Sequence, residues 1–309
     1  MSETAAARGI SAKTQRDLAR AISAVENGYA AVADLLPTIG GRPDGLARLG
    51  VYGITGPPGA GKSTLVDRLV EKFRERGDTV AVVAVDPSSP FTRGAVLGDR
   101  VRMQRHAGDA GVFIRSMASR EGAGGLAPAT RDALALVEAA GFDVCFVETV
   151  GVGQVELEIV AVADVVVVVT VPALGDAVQT IKAGLTEIAD IFVVNMADRP
   201  GANATTVDLK HMIRESGRQV AVLQTVANEG TGVDEVVKAL LETAARGAPN
   251  ADRAVRFEVV RLARDRAVRA VRQALDSPRG RLLLQGLREG TIVRRDAIDA
   301  LLSLAEGLE

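Results

Sequence analysis

The sequence predicts an α/β protein in which helices cover a mostly parallel β-sheet. Between residues 49 and 248, short runs rich in valine and isoleucine alternate with segments of helical periodicity, the pattern of strands joined by crossover helices. One run, Asp164–Val171, is valine apart from Asp164 and Thr170, as expected of a central parallel strand that is buried on both faces. Polar residues collect at the carboxyl ends of the runs, where open parallel sheets bind ligands.

Three regions are predicted along the 309 residues, enough chain for one large domain or two small ones. Residues 1–48 show helical spacing of apolar positions, with Ser11 as a candidate N-cap, and are predicted to form an N-terminal helical arm. Residues 49–248 hold the alternating strands and helices. Residues 249–309 return to a helical pattern in which arginines are mixed with acidic residues, which predicts a solvated or dimer-forming C-terminal arm.

Seven strands are predicted from the β-branched runs of the central region. Three of them end on or beside a polar residue that could act on a ligand: Asp86, Glu148 and Asn195. The first strand enters a glycine-rich loop, and the helix predicted after that loop, Ser63–Arg76, is ended by Gly77. The predicted strands are Val51–Thr55, Thr79–Val85, Val112–Arg115, Asp143–Thr149, Asp164–Val171, Ile191–Asn195 and Gln219–Gln224.

The composition excludes several classes of function. The net charge is −2, from 37 basic and 39 acidic residues, so no global field would hold nucleic acid or an anionic membrane. Aromatic residues are 3% of the chain, without tryptophan, which argues against base-stacking platforms. The single cysteine, Cys145, permits neither an internal disulfide nor a cysteine zinc cluster and suits a reducing cytoplasm. No apolar run reaches the length of a membrane helix, so a cytoplasmic protein is expected.

A phosphate-binding loop is predicted directly after the first strand. The residues from Gly56 to Ser63 fit the pattern G-x-x-x-x-G-K-[ST], and they lie between a strand and a helix, the context that makes this pattern credible. Backbone N–H groups and the helix N-terminus would surround phosphate oxygens. Lys62 would reach the β- and γ-phosphates, and Ser63 would ligate Mg²⁺. The residues assigned to the loop are Gly56, Gly59, Ala60, Gly61, Lys62, Ser63 and Thr64.

Three further strand ends predict that the nucleotide is GTP. Glu148 and Gly151 follow the pattern E-x-x-G of a γ-phosphate sensor. Asn195 and Asp198 follow the pattern N-x-x-D, in which the aspartate accepts hydrogen bonds from guanine N1–H and N2–H₂, a donor pair that adenine lacks. A backbone amide at Ala227 could meet guanine O6. Taken alone, Asn195 and Asp198 could instead cap a helix after a strand.

Together these segments resemble the MeaB/ArgK group of G-protein chaperones of adenosylcobalamin-dependent acyl-CoA mutases. The resemblance covers the whole chain and implies a P-loop NTPase fold of the SIMIBI type, related to the signal-recognition-particle and nickel-chaperone GTPases. It also implies a homodimer that protects a mutase, gates cofactor loading and uses GTP hydrolysis as a timer. The segments that carry the resemblance are Gly56–Thr64, Val85–Pro90, Leu97–Met103, Phe113–Ala118, Glu148–Gln154 and Pro172–Gly184.

The resemblance implies roles for individual acidic and basic residues. Asp86 would act on Mg²⁺ or on the attacking water, Asp99 matches an acid of the first switch, and Glu148 matches the acid of the second. Asp176 and Lys182 match a third switch that assists hydrolysis and communicates with the mutase. The metal set is therefore Ser63, Asp86, Asp99 and Glu148. Some of these residues could instead have a purely structural role. Asp86 could form a turn, Asp99 could be a solvated acid of a loop, and Asp176 and Lys182 could be a helix cap and a surface charge.

The chain departs from the family pattern at Met196, and two alternative functions also fit the sequence. Met196 stands where the family usually has a lysine that packs on the guanine face, so packing is expected there without charge. A P-loop kinase or ATPase linked to amino-acid transport would need an acceptor pocket that the sequence does not offer. A GTP-binding assembly factor with little hydrolysis is the second alternative. The sequence does not choose between Asp86 and Glu148 as the group that orients water.

Overall fold

The computed structural model describes residues 10–39, 45, 47–87, 104–106, 108–119, 128–149, 159–172, 187–247 and 251–306. The chain divides into two compact units, residues 1–254 and residues 255–309. The strands in this part of the chain are β1 Gly50–Thr55, β2 Val80–Pro87, β3 Val112–Ser119, β4 Val144–Thr149, β5 Val165–Thr170, β6 Ile191–Asn195 and β7 Ala221–Thr225. The helices of the described residues are α1 Ala12–Glu26, α2 Val32–Ile39, α3 Lys62–Glu75, α4 Pro128–Ala139, α5 Ala202–Glu215, α6 Val233–Ala245, α7 Ala251–Asp276, α8 Pro278–Arg288 and α9 Arg294–Glu306.

The seven strands form one sheet in the order β3-β2-β4-β1-β5-β6-β7, and every neighbouring pair is parallel. The predicted α/β class with a parallel sheet is therefore confirmed. The buried valines of β5 lie between β1 and β6, as the unbroken apolar run predicted. Because the strands are parallel, all of their carboxyl ends meet at one edge of the sheet.

Most strands differ from the sequence prediction by one or two residues at an end, and β3 differs by four residues at its carboxyl end. β3 continues to Ser119 instead of ending at Arg115, because β2 offers it a backbone partner along its full length, as far as the pair Pro87 and Ser119. β2 itself runs through Asp86, which was predicted to follow the strand. Ladder hydrogen bonds thus extend both strands past the apolar runs from which they were predicted.

Helices cover both faces of the sheet. On one face, α1 and α4 contribute the fully buried Leu18, Ile22 and Leu136 to a core that includes sheet residues. On the other face, α3 contributes Leu65, Leu69 and Phe73 and packs beside α6. α1, which lies within the helical arm predicted for residues 1–48, therefore packs against the sheet. Burying these aliphatic and aromatic side chains stabilises the unit by about 1.5–3 kcal/mol for each residue.

Aspartates close the edge of the sheet at which the strands begin. Asp143 accepts the Thr79 N–H at 2.8 Å, and Asp164 accepts the Val51 N–H at 2.9 Å. Asp190 accepts the Val166 N–H in the same way, also at 2.9 Å. Each carboxylate satisfies a backbone donor of a neighbouring strand, which would otherwise be costly to bury. These acids are structural and lie at the edge opposite to the polar strand ends.

The second unit, residues 255–309, is helical. Ala274 and Leu301 are buried there, and the Ser277 hydroxyl caps α8 by accepting the Gly280 N–H at 3.0 Å. Several large apolar side chains of this unit are more than half exposed: Val255, Val259, Val260, Leu282, Val293 and Ile298. Among the helices that the structure describes, none combines the length and the apolar character that crossing a membrane requires.

Candidate functional site

The phosphate loop is a tight backbone turn that depends on two of its glycines. Gly56 has φ +136°, and a Cβ atom there would lie 2.0 Å from the Val169 carbonyl oxygen. Gly61 has φ +82°, and a Cβ atom there would lie 2.3 Å from Nδ2 of Asn195. Only glycine avoids both the backbone strain and the overlap. The loop is therefore pressed against β5 on one side and against the end of β6 on the other.

Lys62 lies in the first turn of α3 and folds back over the loop. Its Nζ donates to the carbonyl oxygens of Gly56 at 2.9 Å and Pro57 at 3.0 Å, and the residue is 7% exposed. These bonds hold the ammonium above the loop whose N–H groups, together with the start of α3, form a positive concavity. The role of Lys62 as a phosphate ligand stays a prediction.

Ser63 and Glu148 meet beneath the loop. The Ser63 hydroxyl donates to Oε1 of Glu148 at 2.6 Å, and both residues are buried. Glu148 is brought there by register, since it lies beside Ile54 of β1 in the parallel ladder. Next to it, the buried hydroxyls of Thr149 and Thr55 are hydrogen-bonded at 2.9 Å. Two hard oxygen donors, a hydroxyl and a carboxylate, thus lie together at the start of α3.

Asn195 joins three segments of the site. Its Nδ2 donates to the Ala60 carbonyl at 2.9 Å, and its Oδ1 accepts from the Thr225 hydroxyl at 3.0 Å and from the Ala227 N–H at 3.1 Å. The side chain is buried, with 2% of the residue exposed. Asn195 therefore connects the phosphate loop with the turn after β7, rather than capping a helix as the alternative interpretation had it.

The segment after β6 places Asp198 at the surface. Met196 has φ +56°, the one non-glycine residue with positive φ among those that the structure describes. The Ala197 N–H donates to the Thr225 carbonyl at 3.0 Å and ties this segment to β7. Asp198 is exposed, so its carboxylate is accessible to a ligand. Met196 Cε lies 3.7 Å from the position that a Cβ atom on Gly61 would occupy, which puts its side chain beside the phosphate loop.

Sequence reasoning missed Arg68, which contacts the same turn from α3. Its Nε donates to the Ala227 carbonyl at 3.1 Å and its Nη2 to the Asn228 carbonyl at 2.6 Å. Helical periodicity distinguishes only the apolar face of a helix from its polar face. It therefore does not indicate which partner an arginine on the polar face will contact. Its partners are about 160 residues away in sequence.

A second missed cluster lies on α3 beside residues 104–106. Asp67 binds Arg105, at 2.6 Å between Nη2 and Oδ2, and lies 2.9 Å from His106 Nε2. Burial raises the pKa of the Asp67 carboxyl, but hydrogen bonds from His106 and Arg105 outweigh it and hold that pKa below its usual value. This cluster holds the chain that precedes β3 against the helix that begins at the phosphate loop.

Gly59 and Thr64 lie in the loop and in the first turn of α3, as their sequence positions require. Five other predicted residues lie wholly or partly outside the part of the chain that the structure describes. The backbone of Asp86 lies near the end of β2, paired with Ala118 of β3, and its side chain lies outside the described part of the structure. Asp99, Gly151, Asp176 and Lys182 also lie outside the described residues. Within the described residues, no three acidic, histidine or cysteine side chains form a group that could hold a metal by themselves.

The chain is similar to proteins of a known family. A family model described as methylmalonyl Co-A mutase-associated GTPase MeaB matches residues 18–276. A candidate GTPase of Pyrococcus abyssi is 60% identical over 193 residues, which make up 60% of each chain. GTPase ArgK of Escherichia coli is 40% identical over 200 residues, or 62% of this chain and 60% of that protein. This chain therefore spans about 60% of the length of the curated relatives that it matches.

A solved structure extends the likeness over nearly the full chain. The crystal structure of a LAO/AO transport system kinase has a TM-score of 0.64 at 26% identity, over 96% of this chain and 97% of that one. Because the family model covers most of the sequence, and because the parallel sheet is the one predicted for a P-loop NTPase, the chain belongs to the family of methylmalonyl Co-A mutase-associated GTPases, MeaB.

Proposed function

We propose that this protein is a Mg²⁺-dependent GTPase that hydrolyses GTP to GDP and phosphate. The observation that carries the proposal is the buried Asn195, whose side chain binds the phosphate loop at Ala60 and the turn after β7 at Ala227. A side chain that holds both segments in one arrangement suits a ligand with phosphates at one end and a base at the other. The family description and the ArgK relative support the same activity.

Guanine is the base that these residues favour. The exposed Asp198 carboxylate would accept hydrogen bonds from N1–H and N2–H₂ of guanine. The Ala227 N–H, which the sequence assigned to O6, donates to Asn195 Oδ1 at 3.1 Å in this structure, so another amide of the same turn is proposed to meet O6. Adenine carries an amino group in place of O6 and lacks the N2 donor, so both contacts would be lost. Met196 supplies an apolar side chain next to the loop, in keeping with packing against the nucleoside.

The donor set fits Mg²⁺. Ser63 and Glu148 present a hydroxyl and a carboxylate oxygen 2.6 Å apart beside the phosphate loop, and Mg²⁺ prefers one or two protein oxygens together with substrate phosphates. Ser63 would hold the ion directly, and Glu148 would hold it directly or through water. When bound, the ion would supply positive charge that offsets the negative charge developing on the phosphates. Asp86 and Asp99 are proposed to complete the set.

The chain's own residues would position the reactants for attack by water. The loop amides and Lys62 would hold the β- and γ-phosphates, because the ammonium is already placed over the loop by the Gly56 and Pro57 carbonyls. Glu148 or Asp86 would orient the water, and the Gly151 amide would contact the γ-phosphate. Asp176 and Lys182 are proposed to assist from a third switch. We expect slow intrinsic hydrolysis that a partner accelerates by ordering the switches.

The proposed partner is an adenosylcobalamin-dependent acyl-CoA mutase, which the protein would protect and whose cofactor loading it would gate. The family description, which names methylmalonyl Co-A mutase, supports this role. We also propose a homodimer formed through residues 249–309. The more than half-exposed valine, leucine and isoleucine side chains of residues 255–309 support it, because burying such side chains between subunits would be favourable.

Turnover with GTP and with ATP, each with and without a corrinoid mutase, tests the proposal. We expect GTP to be preferred and its hydrolysis to rise when the mutase is added. A preference for ATP with phosphate transfer to an amino-acid or protein acceptor would favour the kinase alternative instead. Tight GTP binding with no turnover under any condition would favour the assembly-factor alternative. A pull-down against mutases with GTP, GDP or no nucleotide would identify the partner.

A further inference from the structure

We propose that Arg68 is a positioning residue that sets selectivity for guanine, because it orients the turn that follows β7. The inference rests on the proposed GTPase function, since it concerns how the base of the same nucleotide is chosen. Arg68 is placed in the second turn of α3, behind the Lys62 and Ser63 that begin this helix. In this role Arg68 need not touch the nucleotide itself.

The contacts of Arg68 reach two successive carbonyl groups of the turn. Nε donates to the Ala227 carbonyl at 3.1 Å, and Nη2 donates to the Asn228 carbonyl at 2.6 Å. A planar guanidinium with several donors in a rigid fork suits such a two-point contact, which a lysine could make only in part. The turn is therefore held from the helix side by charge-assisted hydrogen bonds, which are stronger than those between neutral groups.

These bonds fix the orientation of the peptide groups in the turn. Each peptide unit is planar and trans, so a carbonyl held in one direction points its own N–H in the other. Arg68 fixes the peptide planes after Ala227 and after Asn228, while Asn195 fixes the preceding plane through the Ala227 N–H at 3.1 Å. Two side chains from different elements thus define three consecutive peptide planes where guanine O6 is expected.

The charge of Arg68 also favours guanine over adenine. A peptide whose carbonyl accepts from a cation is polarised, and its N–H becomes a better donor. The N–H of Asn228 belongs to the same peptide as the Ala227 carbonyl that Arg68 binds. A stronger donor there favours an acceptor, which is O6 of guanine, and disfavours the amino group that adenine carries at the same position.

Arg68 is itself held in place. Its Nη1 donates to Oε2 of Glu71 at 3.0 Å, one helical turn further along α3, and its side chain is 28% exposed. The helix that begins at the phosphate loop therefore also carries the group that holds the base-side turn. A shift of the turn relative to the loop would have to break the Arg68 or the Asn195 contacts, so the spacing between the phosphate and base sites is set by packed groups.

The test compares GDP and ADP binding by the full-length wild type, Arg68→Met and Arg68→Lys. Arg68→Met keeps most of the aliphatic stem and removes the donors, so GDP affinity should fall about 10- to 100-fold, whereas ADP affinity, which depends on the phosphate loop, should change less than threefold. Arg68→Lys should restore part of the preference for GDP. Arg76→Met is the matched control, because Arg76 caps the far end of the same helix and binds Asp78.

The outcomes separate this inference from the proposed function. If the wild type does not prefer GDP to ADP, the proposed function fails before Arg68 is considered. If the wild type prefers GDP and Arg68→Met keeps the same ratio of affinities, the inference about Arg68 is overturned. An equal loss for GDP and ADP, with a lower Tm and no rescue by lysine, would also overturn it, since a purely structural role does not select a base.

Discussion

Asn195 Nδ2 donates to the carbonyl oxygen of Ala60 over 2.9 Å, although the two residues are 135 positions apart in the sequence. The bond joins the end of β6 to the phosphate loop, and the other end of the same amide holds the turn after β7. Because the amide is buried, removing it would take a hydrogen bond from each of its partners that water could not easily replace. The relationship therefore contributes both to stability and to the shape of the nucleotide site.

Asn195→Ala should destabilise the protein and weaken nucleotide binding together. It leaves the Ala60 carbonyl, the Thr225 hydroxyl and the Ala227 N–H without this partner, which we expect to cost about 3 kcal/mol or more. Urea unfolding and GDP titration measure the two effects. The control Asn27→Ala removes an exposed amide that donates to the Ser23 carbonyl and should cost less than about 1 kcal/mol. Wild-type stability in Asn195→Ala would contradict the assigned role.

Glu148→Gln should preserve the fold and abolish most of the activity. The amide oxygen of glutamine can still accept the Ser63 hydroxyl, which Glu148 binds at 2.6 Å, so the Tm should change little. Loss of the carboxylate charge should lower GTP turnover by about 100-fold or more and raise the Mg²⁺ concentration needed for half-maximal rate. The exposed Glu235→Gln is the control. Unchanged turnover and Mg²⁺ dependence in Glu148→Gln would refute this assignment.

Gly56→Ala should destabilise the protein more than Gly77→Ala. Both glycines have positive φ, of +136° and +88°, so each substitution carries a backbone cost of about 1–2 kcal/mol. Only at Gly56 would the new Cβ atom meet backbone, 2.0 Å from the Val169 carbonyl oxygen, whereas at Gly77 nothing lies within 4 Å. Overlap of this kind adds about 1–3 kcal/mol. Equal costs in urea unfolding would show that the loop can move away from β5.

The Arg74–Asp109 pair should make stability depend on pH at the acidic end. Arg74 Nε and Nη2 donate to Asp109 at 2.8 and 2.9 Å, and these bonds, with the Gly111 N–H, hold the pKa of the Asp109 carboxyl below its usual value. A pKa lowered by folding gives stability that is present above the unfolded pKa and is lost as pH falls through the folded pKa.

Asp109→Asn should therefore cost about 1–3 kcal/mol at pH 7, and the difference from wild type should shrink as the pH falls below about 4. Urea unfolding at several pH values measures it. Asp208→Asn, an exposed change on α5, is the control and should show little difference at any pH. A difference for Asp109→Asn that stays constant down to pH 3 would mean that the ion pair is not its source.

Much of the fold and part of the site could be predicted because they depend on local patterns. Apolar β-branched runs predicted the strands, and glycine spacing predicted the phosphate loop, since only glycine fits at Gly56 and Gly61. Strand-end residues such as Glu148 and Asn195 were found because parallel strands bring their carboxyl ends to one edge. The length of β3 was not found, because its last residues are held by pairing with β2 rather than by their own apolar character.

The sequence by itself therefore determined which chemical groups this protein has and the order in which they occur: a phosphate loop, a carboxylate and an N-x-x-D segment at successive strand ends. Only the tertiary structure decided which of them meet. The contacts of Ser63 with Glu148, of Asn195 with Ala60, and of Arg68 with the turn after β7 span from 85 to 160 residues. Such contacts depend on strand register and helix packing, which are set by the whole buried core. The sequence around each residue therefore contains no periodic pattern that predicts them.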